Sequence, residues 1–321
     1  METITLPGSR KITTRIGFGC AYLLPENARL LDAAFDAGIR HFDVARSYGR
    51  GFTEGLVGRF LGRHGEEVTV TTKYGILPPP NAPLVGALKG ALRPLVRRLR
   101  RAPAVDRQIS RSIAALYGKA AFSGDEARRS LALSLKRLSR DRVDLFLMHE
   151  AEASDLGDPS LLDTLLKLRD RQIIGAFGVG GLARRTPDLI AARPGFCDVL
   201  QHEWTVGDPV IDTAQGFRIL YRTFGGAAAQ AFARVSGDEV ALGAWSDQVG
   251  VDLAERGAFQ RLLLKAAYQR RPEAMILFSS TRVENIAANV RTLEDTALAA
   301  AADRLADLVE AARTTGAPHE G

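Results

Sequence analysis

Four side chains in this 321-residue sequence have the types to share one reaction: Asp43, Tyr48, Lys73 and His149. A tyrosine phenol has a pKa of about 10, which makes it a poor acid at neutral pH. A nearby ammonium stabilises the phenolate and lowers that pKa. Lys73 is suited to this, Asp43 to holding Lys73, and His149 to hydrogen-bonding and orienting a carbonyl oxygen. Such a set donates a proton to an oxygen while another species delivers hydride to the carbon. Each residue also has a plainer reading. Asp43 and Lys73 can be a structural ion pair, Tyr48 a half-buried aromatic, and His149 an ordinary strand-end residue.

The elements that must position these groups are legible. Asp43, Lys73 and His149 each end a short apolar run: residues 40–43, 68–73 and 143–149. Tyr48 follows Asp43 by five residues, in Ala45-Arg46-Ser47-Tyr48-Gly49. Polar groups at the ends of buried strands are what a parallel barrel places round its mouth. Strands are expected at 16–19, 41–43, 68–73, 143–148, 173–179, 197–201, 218–221 and 274–278. Helices are expected at 25–37, 54–61, from Ser123 through Leu138, from Asp158-Pro159 through Leu168, at 283–292, and in the Ala-rich tail to about Arg313. Ser123 reads as an N-cap, with Asp125 and Glu126 in the first turn. Eight strands alternating with helices predict an α/β chain closed as a (β/α)8 TIM barrel, with an extra C-terminal helix. The whole of 1–321 reads as one domain, without internal repeat or linker.

Bulk properties narrow the function classes. Hydrophobic residues make up 46% of the chain, enough for a continuous core. No apolar run has the length of a membrane span, and the start lacks a secretory layout. Cys20 and Cys197 are too few for a disulfide framework, and neither lies in a metal-ligand cluster. A cytoplasmic protein without a bound metal is the expectation. The net charge of +6 is unevenly spread. Residues 75–124 hold nine Lys or Arg and one acid, a net +8, which leaves −2 on the remainder. The basic character belongs to one insertion after the third strand, which weighs against nucleic-acid binding.

With these elements in place the sequence resembles the aldo-keto reductases, from Ile16 to Asn289. The most specific stretch is His41-Phe42-Asp43-Val44-Ala45-Arg46-Ser47-Tyr48-Gly49, continuing to Glu54, Gly58 and Leu61; Lys73 and His149 end the expected strands. The resemblance implies a barrel that binds a nicotinamide dinucleotide without a Rossmann fold and interconverts carbonyl and alcohol. It makes Tyr48 the general acid, Lys73 its tuner, Asp43 the support of Lys73, and His149 the positioner of substrate. It places Gln201 on the nicotinamide carboxamide and Tyr221 against its ring. It adds Arg222, Ser279, Ser280, Thr281, Arg282, Asn285 and Asn289 to the cofactor set. A helix N-terminus there can hold phosphate. Arg282 can pair with a 2′-phosphate, which favours NADP(H) over NAD(H); an exposed helix-start arginine is the alternative.

This chain departs from the family pattern at several points. Gly180-Gly181 stands where a Ser-Asn pair usually binds the carboxamide. Two positions often cationic in NADP-preferring members are Ser279 and Asn285, and Ala288 replaces an adenine-contacting acid. On the substrate side, Ala21 and Glu150 stand where Trp is frequent. An open, acidic wall suits a hydroxylated, sugar-like small molecule, although Glu150 is equally readable as a solvated rim acid. Tyr74, Trp204 and Phe224 also follow strands and are expected to line the pocket or to pack.

The insertion carries an apolar stripe (Leu84, Leu88, Leu92, Leu95, Leu99) and a basic one (Lys89, Arg93, Arg97, Arg100), split by Pro94. It reads as a helical lid or pocket wall. Its arginines can be a solvated face, a site for an anionic substrate group, or a docking surface for an acidic partner or membrane. The principal functional expectation is an NAD(P)(H)-dependent oxidoreductase of aldehydes, ketones or sugar-like carbonyls. The alternatives are a nicotinamide-binding regulatory protein that signals through the insertion, and a metal-assisted lyase, which the lack of a His/Asp/Glu cluster at strand ends disfavours.

Overall fold

The computed structural model describes residues 1–65, 67–79, 117–211 and 216–315. Its centre is a closed barrel of eight parallel strands: β3 (Ile16–Gly19), β4 (His41–Asp43), β5 (Thr69–Tyr74), β8 (Val143–His149), β9 (Ile174–Gly181), β10 (Val199–Glu203), β11 (Phe217–Tyr221) and β12 (Ala274–Phe278). Each strand pairs with its neighbour in chain order, and β12 closes on β3. Helices between the strands cover the outside, as the expected (β/α)8 architecture requires. They are α1 (Arg29–Asp36), α2 (Thr53–His64), α3 (Gly124–Leu138), α4 (Pro159–Asp170), α5 (Thr186–Ala192), α6 (Gly226–Val235), α7 (Glu239–Val249), α8 (Ala258–Arg270) and α9 (Val283–Glu294), followed by α10 (Ala299–Thr315).

Local chemistry fixes the helix starts. The Ser123 hydroxyl accepts from the Glu126 amide and caps α3, and the Asp158 carboxylate accepts from the Ser160 amide ahead of Pro159. Gly58 has a packing role. A Cβ there would stand 2.2 Å from the Arg137 carbonyl, so only glycine lets α2 and α3 approach this closely. The expected helix at 25–37 opens instead as a 3-10 turn at Pro25–Asn27, and α1 begins at Arg29.

Strand side chains divide by period two into two cores. Leu145, Leu147, Ala176, Val199, Ile219, Met275 and Leu277 fill the lumen. Phe42, Val70, Tyr74, Phe146, Met148 and Leu220 point outward under the helices. His41 and Asp43 on β4, and Thr69, Thr71 and Lys73 on β5, follow the lumen phase. The register sets Asp43 beside Thr71, Lys73 beside Leu147, and His149 beside Gly180, which in turn pairs with Gln201.

Two parts of the architecture have no counterpart in the sequence reading. The hairpin β1 (Thr3–Thr5) and β2 (Ile12–Thr14) is followed directly by β3, and Leu6 in its turn joins the lumen core. Helices α6, α7 and α8 fill the long passage between β11 and β12. The insertion leaves the barrel as an antiparallel ribbon, β6 (Ile76–Leu77) with β7 (Gly118–Lys119), and Ala120 N–H donates to the Gly75 carbonyl. The two leucine and arginine stripes lie outside the described residues. Among the described residues no helix is long and apolar enough to cross a membrane.

His41 is buried in the lumen and His149 is half-buried at its mouth, and neither is hydrogen-bonded to a carboxylate. His41 Nδ1 and Nε2 meet the Thr69 and Thr71 hydroxyls at 2.9 and 3.0 Å. Burial, and then the Lys73 charge, push both histidines down to about 3. The unfolded chain, with histidines near 6.5, binds more protons between these values. Folding stability should therefore be complete above pH 6.5 and fall as the pH drops from 6.5 toward 3. The slope reaches about 1.4 kcal/mol per pH unit for each histidine. Urea midpoints measured across this range check the expectation. His41→Gln should flatten the profile, and an unchanged slope in that variant would contradict the account.

Candidate active site

The four residues singled out in the sequence converge at the C-terminal mouth of the barrel. Lys73 Nζ lies 2.5 Å from Asp43 Oδ1, 3.2 Å from the Val44 carbonyl and 3.2 Å from the Tyr48 hydroxyl. The Tyr48 and His149 rings meet edge to face at a centroid distance of 5.7 Å. Asp43 also accepts, through Oδ2, from Gln201 Nε2 at 2.8 Å. One carboxylate therefore fixes both the ammonium and a carboxamide from the far side of the barrel.

Lys73 and Asp43 are 2% exposed, so their attraction acts with little solvent screening. Burial lowers the Lys73 pKa, and Asp43 acts against that shift by favouring the ammonium. The Tyr48 phenol departs from the sequence expectation of a lowered pKa. Burial, followed by the Asp43 charge, pushes it well above the usual tyrosine value. At rest Tyr48 is therefore a fully protonated phenol. The ammonium 3.2 Å away is placed to stabilise the phenolate as a proton leaves. His149, held down to about 3, is a neutral imidazole at neutral pH.

These groups open into a cavity of about 930 Å³ at the barrel mouth. Gln201, Tyr221, Arg222, Asn285 and Asn289 line it, as does the run Ser279-Ser280-Thr281-Arg282. All of the residues expected to hold a cofactor thus face one space. Of the expected substrate-side residues, Ala21 and Glu150 line this cavity, and Phe224 does so at 40% exposure. Tyr74 and Trp204 do not. Tyr74 is fully buried and stacks on Phe146 at 4.9 Å. Trp204 is buried with Arg271 over its ring. Both are one residue out of phase with lumen-facing neighbours, Lys73 and Glu203, so strand alternation turns them outward.

The cavity also has walls that the sequence reading missed. Tyr22, 66% exposed, follows Ala21 in the lining. Arg256, Gln260 and Arg261 come from the start of α8, where Gly257 adopts a φ of +81°. Two arginines flanking a glycine before an amphipathic run are the only sequence signal for this wall. Glu150 and Arg222 sit directly after His149 and Tyr221 with φ of +57° and +58°. Such left-handed, non-glycine residues concentrate strain at the mouth.

The residues present fit a nicotinamide dinucleotide. Gln201 Oε1 is buried and unpartnered, an acceptor matched to a carboxamide N–H. The Tyr221 ring is fixed by its hydroxyl, which donates to the Gly181 carbonyl at 3.1 Å and meets Glu203 Oε2 at 3.2 Å. Gly180 and Gly181 leave their edge of the cavity bare; a Cβ on Gly180 would come 3.0 Å from Gln201 Oε1 and 3.6 Å from the Lys73 stem. Helix α9 starts at the cavity wall without a side-chain cap, so its first amides are available to an anion.

The Aldo/keto reductase family model matches residues 16–184. D-threo-aldose 1-dehydrogenase from a Pseudomonas species is 32% identical over 157 residues, 48% of this chain. The match spans 43% of that relative's length. Among solved structures, the glycerol dehydrogenase of Gluconobacter oxydans is 16% identical and superposes with a TM-score of 0.66, covering 99% of this chain and 98% of that one. An aldo-keto reductase from Bacillus halodurans, in its holo form, is 16% identical with a TM-score of 0.65 over 95% and 96% of the two chains. An aldo-keto reductase from Klebsiella pneumoniae in complex with NADPH is 18% identical with a TM-score of 0.57 over 92% and 90%. The structural likenesses, at such low identity, speak for the fold. The family match covers more than half of the sequence and includes Asp43, Tyr48, Lys73 and His149, and the chain belongs to the aldo/keto reductase family.

Proposed function

We propose that this chain is an NAD(P)(H)-dependent oxidoreductase that interconverts the carbonyl and alcohol forms of an aldose-like substrate, with Tyr48 as general acid and base. One observation carries the reading: the Tyr48 hydroxyl, Lys73 ammonium and Asp43 carboxylate form a hydrogen-bonded chain that runs from the buried lumen to the mouth cavity. The aldose dehydrogenase relative supports a sugar-like substrate. The NADPH complex of a fold relative supports the cofactor class.

When bound, the nicotinamide supplies or accepts the hydride. The chain's own residues manage the proton. In the reducing direction the Tyr48 hydroxyl donates to the substrate oxygen, and in the oxidising direction its oxygen takes the hydroxyl proton. Lys73 stabilises the phenolate, which burial alone would disfavour. Asp43 holds Lys73 and Gln201 in one frame. Neutral His149 offers an N–H to the same substrate oxygen without adding a charge. Glu150, at the exposed rim of the cavity, accepts from substrate hydroxyls. Gln201 Oε1, the Tyr221 face and the start of α9 hold the cofactor. Arg282 is 55% exposed and only loosely paired with Glu284 at 3.7 Å, so its guanidinium can turn to a 2′-phosphate. That favours NADP(H).

The test follows reduced-nicotinamide absorbance with NADPH or NADH and a panel of aldoses and simpler aldehydes. Wild-type protein should turn over at least one aldose. Tyr48→Phe should lose at least about 10²-fold in turnover while still quenching NADPH fluorescence on binding. Equal turnover in both proteins would remove Tyr48 from its role, and cofactor binding without turnover on the whole panel would favour a nicotinamide sensor. In fluorescence titrations Arg282→Ala should weaken NADPH more than NADH; an equal loss for both would end the 2′-phosphate assignment.

A further inference from the structure

The loop between Asp43 and Tyr48 has a second anchor, on the outside of the barrel. Its backbone continues the pairing of β4 with β5: Val44 N–H donates to Thr71 O at 2.8 Å, and Arg46 N–H lies 3.4 Å from Lys73 O. The chain turns over residues 45–48, with Tyr48 N–H on the Ala45 carbonyl and Arg46 as the first central residue. It leaves the turn through Gly49 and Arg50, both left-handed at φ of +53° and +59°. Tyr48 points inward, where its hydroxyl meets Lys73. Arg46, two residues earlier, sends its side chain the other way, onto α3.

There the contacts are buried and specific. Arg46 Nη1 donates to Ser130 Oγ at 2.5 Å, and Ser130 Oγ donates to Glu126 Oε1 at 2.8 Å. The Arg46 and Glu126 charges approach to 3.7 Å. Arg46 is 8% exposed and Ser130 is fully buried. Glu126 is itself fixed at both ends: its amide is capped by Ser123 and its other carboxylate oxygen pairs with Arg129 at 2.6 Å. An arginine carried into the helix layer from an active-site loop is costly unless it is paired; the buried Glu54 carboxylate also supports the Arg46 charge, while Arg46 Nε has no hydrogen-bond partner. A second buried polar cluster lies in the same layer, where Glu54 accepts from the Thr72 hydroxyl at 2.7 Å and approaches Arg137 at 3.5 Å.

We propose that Arg46, locked by Ser130 and Glu126, is a positioning residue that sets the distance from the Tyr48 hydroxyl to Lys73. It does not line the cavity; it acts by fixing the first central residue of the turn that presents the phenol. Of the residues assigned to the cofactor, Gln201 and Tyr221 lie on β10 and β11, Ser279 to Arg282 follow β12, and Asn285 and Asn289 lie on α9; none belongs to the loop between Asp43 and Tyr48. Loss of the anchor should therefore disturb proton transfer and leave cofactor binding intact. The kinetic half of this inference rests on the oxidoreductase reading, and the spectroscopic half does not.

The experiment uses the full-length protein labelled with 3-fluorotyrosine. There are six tyrosines, and the Tyr48 resonance is assigned by its absence in Tyr48→Phe. Arg46→Ala and Glu126→Ala should shift or broaden the Tyr48 fluorine signal and leave that of Tyr221 in place. With the aldose that wild-type protein turns over, kcat should fall by about 10²-fold, as expected for a displacement near 1 Å, with the NADPH dissociation constant unchanged. Glu126→Gln, chosen in case the alanine variants fold poorly, keeps the size and removes the charge. It should give a loss on the order of tenfold. Arg46→Lys should recover part of the kcat lost in Arg46→Ala. A purely structural residue would lower the melting temperature without moving either kcat or the Tyr48 signal, and that result overturns the proposal. So does a fluorine spectrum unchanged in every folded variant. If wild-type protein turns over no aldose, the function reading fails while the fluorine spectrum still decides the positioning.

Discussion

An ammonium group held in the barrel lumen is the constraint around which the mouth is built. Lys73 is nearly inaccessible to water and is compensated by Asp43 at 2.5 Å, by the Val44 carbonyl and by the Tyr48 hydroxyl. A buried cation of this kind persists only where every donor finds a partner. Its three partners come from β4 and the loop that follows it, and Asp43 extends the set to Gln201 on β10. The charge thus ties opposite walls of the barrel together. It also determines which neighbours can ionise: His41 and His149 are kept neutral partly by its field.

On the proposed reading, the same burial explains why the phenol needs the lysine. Taken out of water and placed near Asp43, Tyr48 resists ionisation. A protonated resting phenol next to a fixed cation is a proton source whose conjugate base is stabilised only at one spot. Such preorganised charge is more effective in a dry cleft than in water, because nothing has to reorient as the proton moves. The neutral imidazole of His149 beside it contributes hydrogen-bonding capacity without competing for the phenolate. The mouth cavity is lined, besides these groups, by the small Ala21, the acidic Glu150 and the exposed ring of Tyr22.

Strand-end chemistry was readable from the sequence because period-two alternation and parallel register are strong rules. Asp43, Lys73, His149 and Gln201 each end or nearly end a short apolar run, and in a closed barrel those ends must meet. The rule also explains the errors. Tyr74 and Trp204 follow lumen-facing residues by one position, and a shift of one position sends a side chain to the opposite face. The burial that raises the phenol pKa was not legible, because sequence shows a neighbouring charge but not how much water is excluded. The α8 wall with Arg256 and Arg261 was missed because it belongs to a helical passage between β11 and β12, where no strand end marks the mouth. The hairpin that sends Leu6 into the lumen is short and mixed in polarity, so its three-residue strands carry no usable pattern.

The central claim is that the Lys73 charge makes the buried phenol of Tyr48 a usable proton donor. The most direct measurement is the single-turnover rate of Lys73→Met, a variant of similar length without the charge, with saturating NADPH and an aldose turned over by the wild type. The account predicts retained NADPH binding and a rate reduced by at least about 10²-fold. A rate within a few-fold of wild type, with Tyr48 still required, would contradict it.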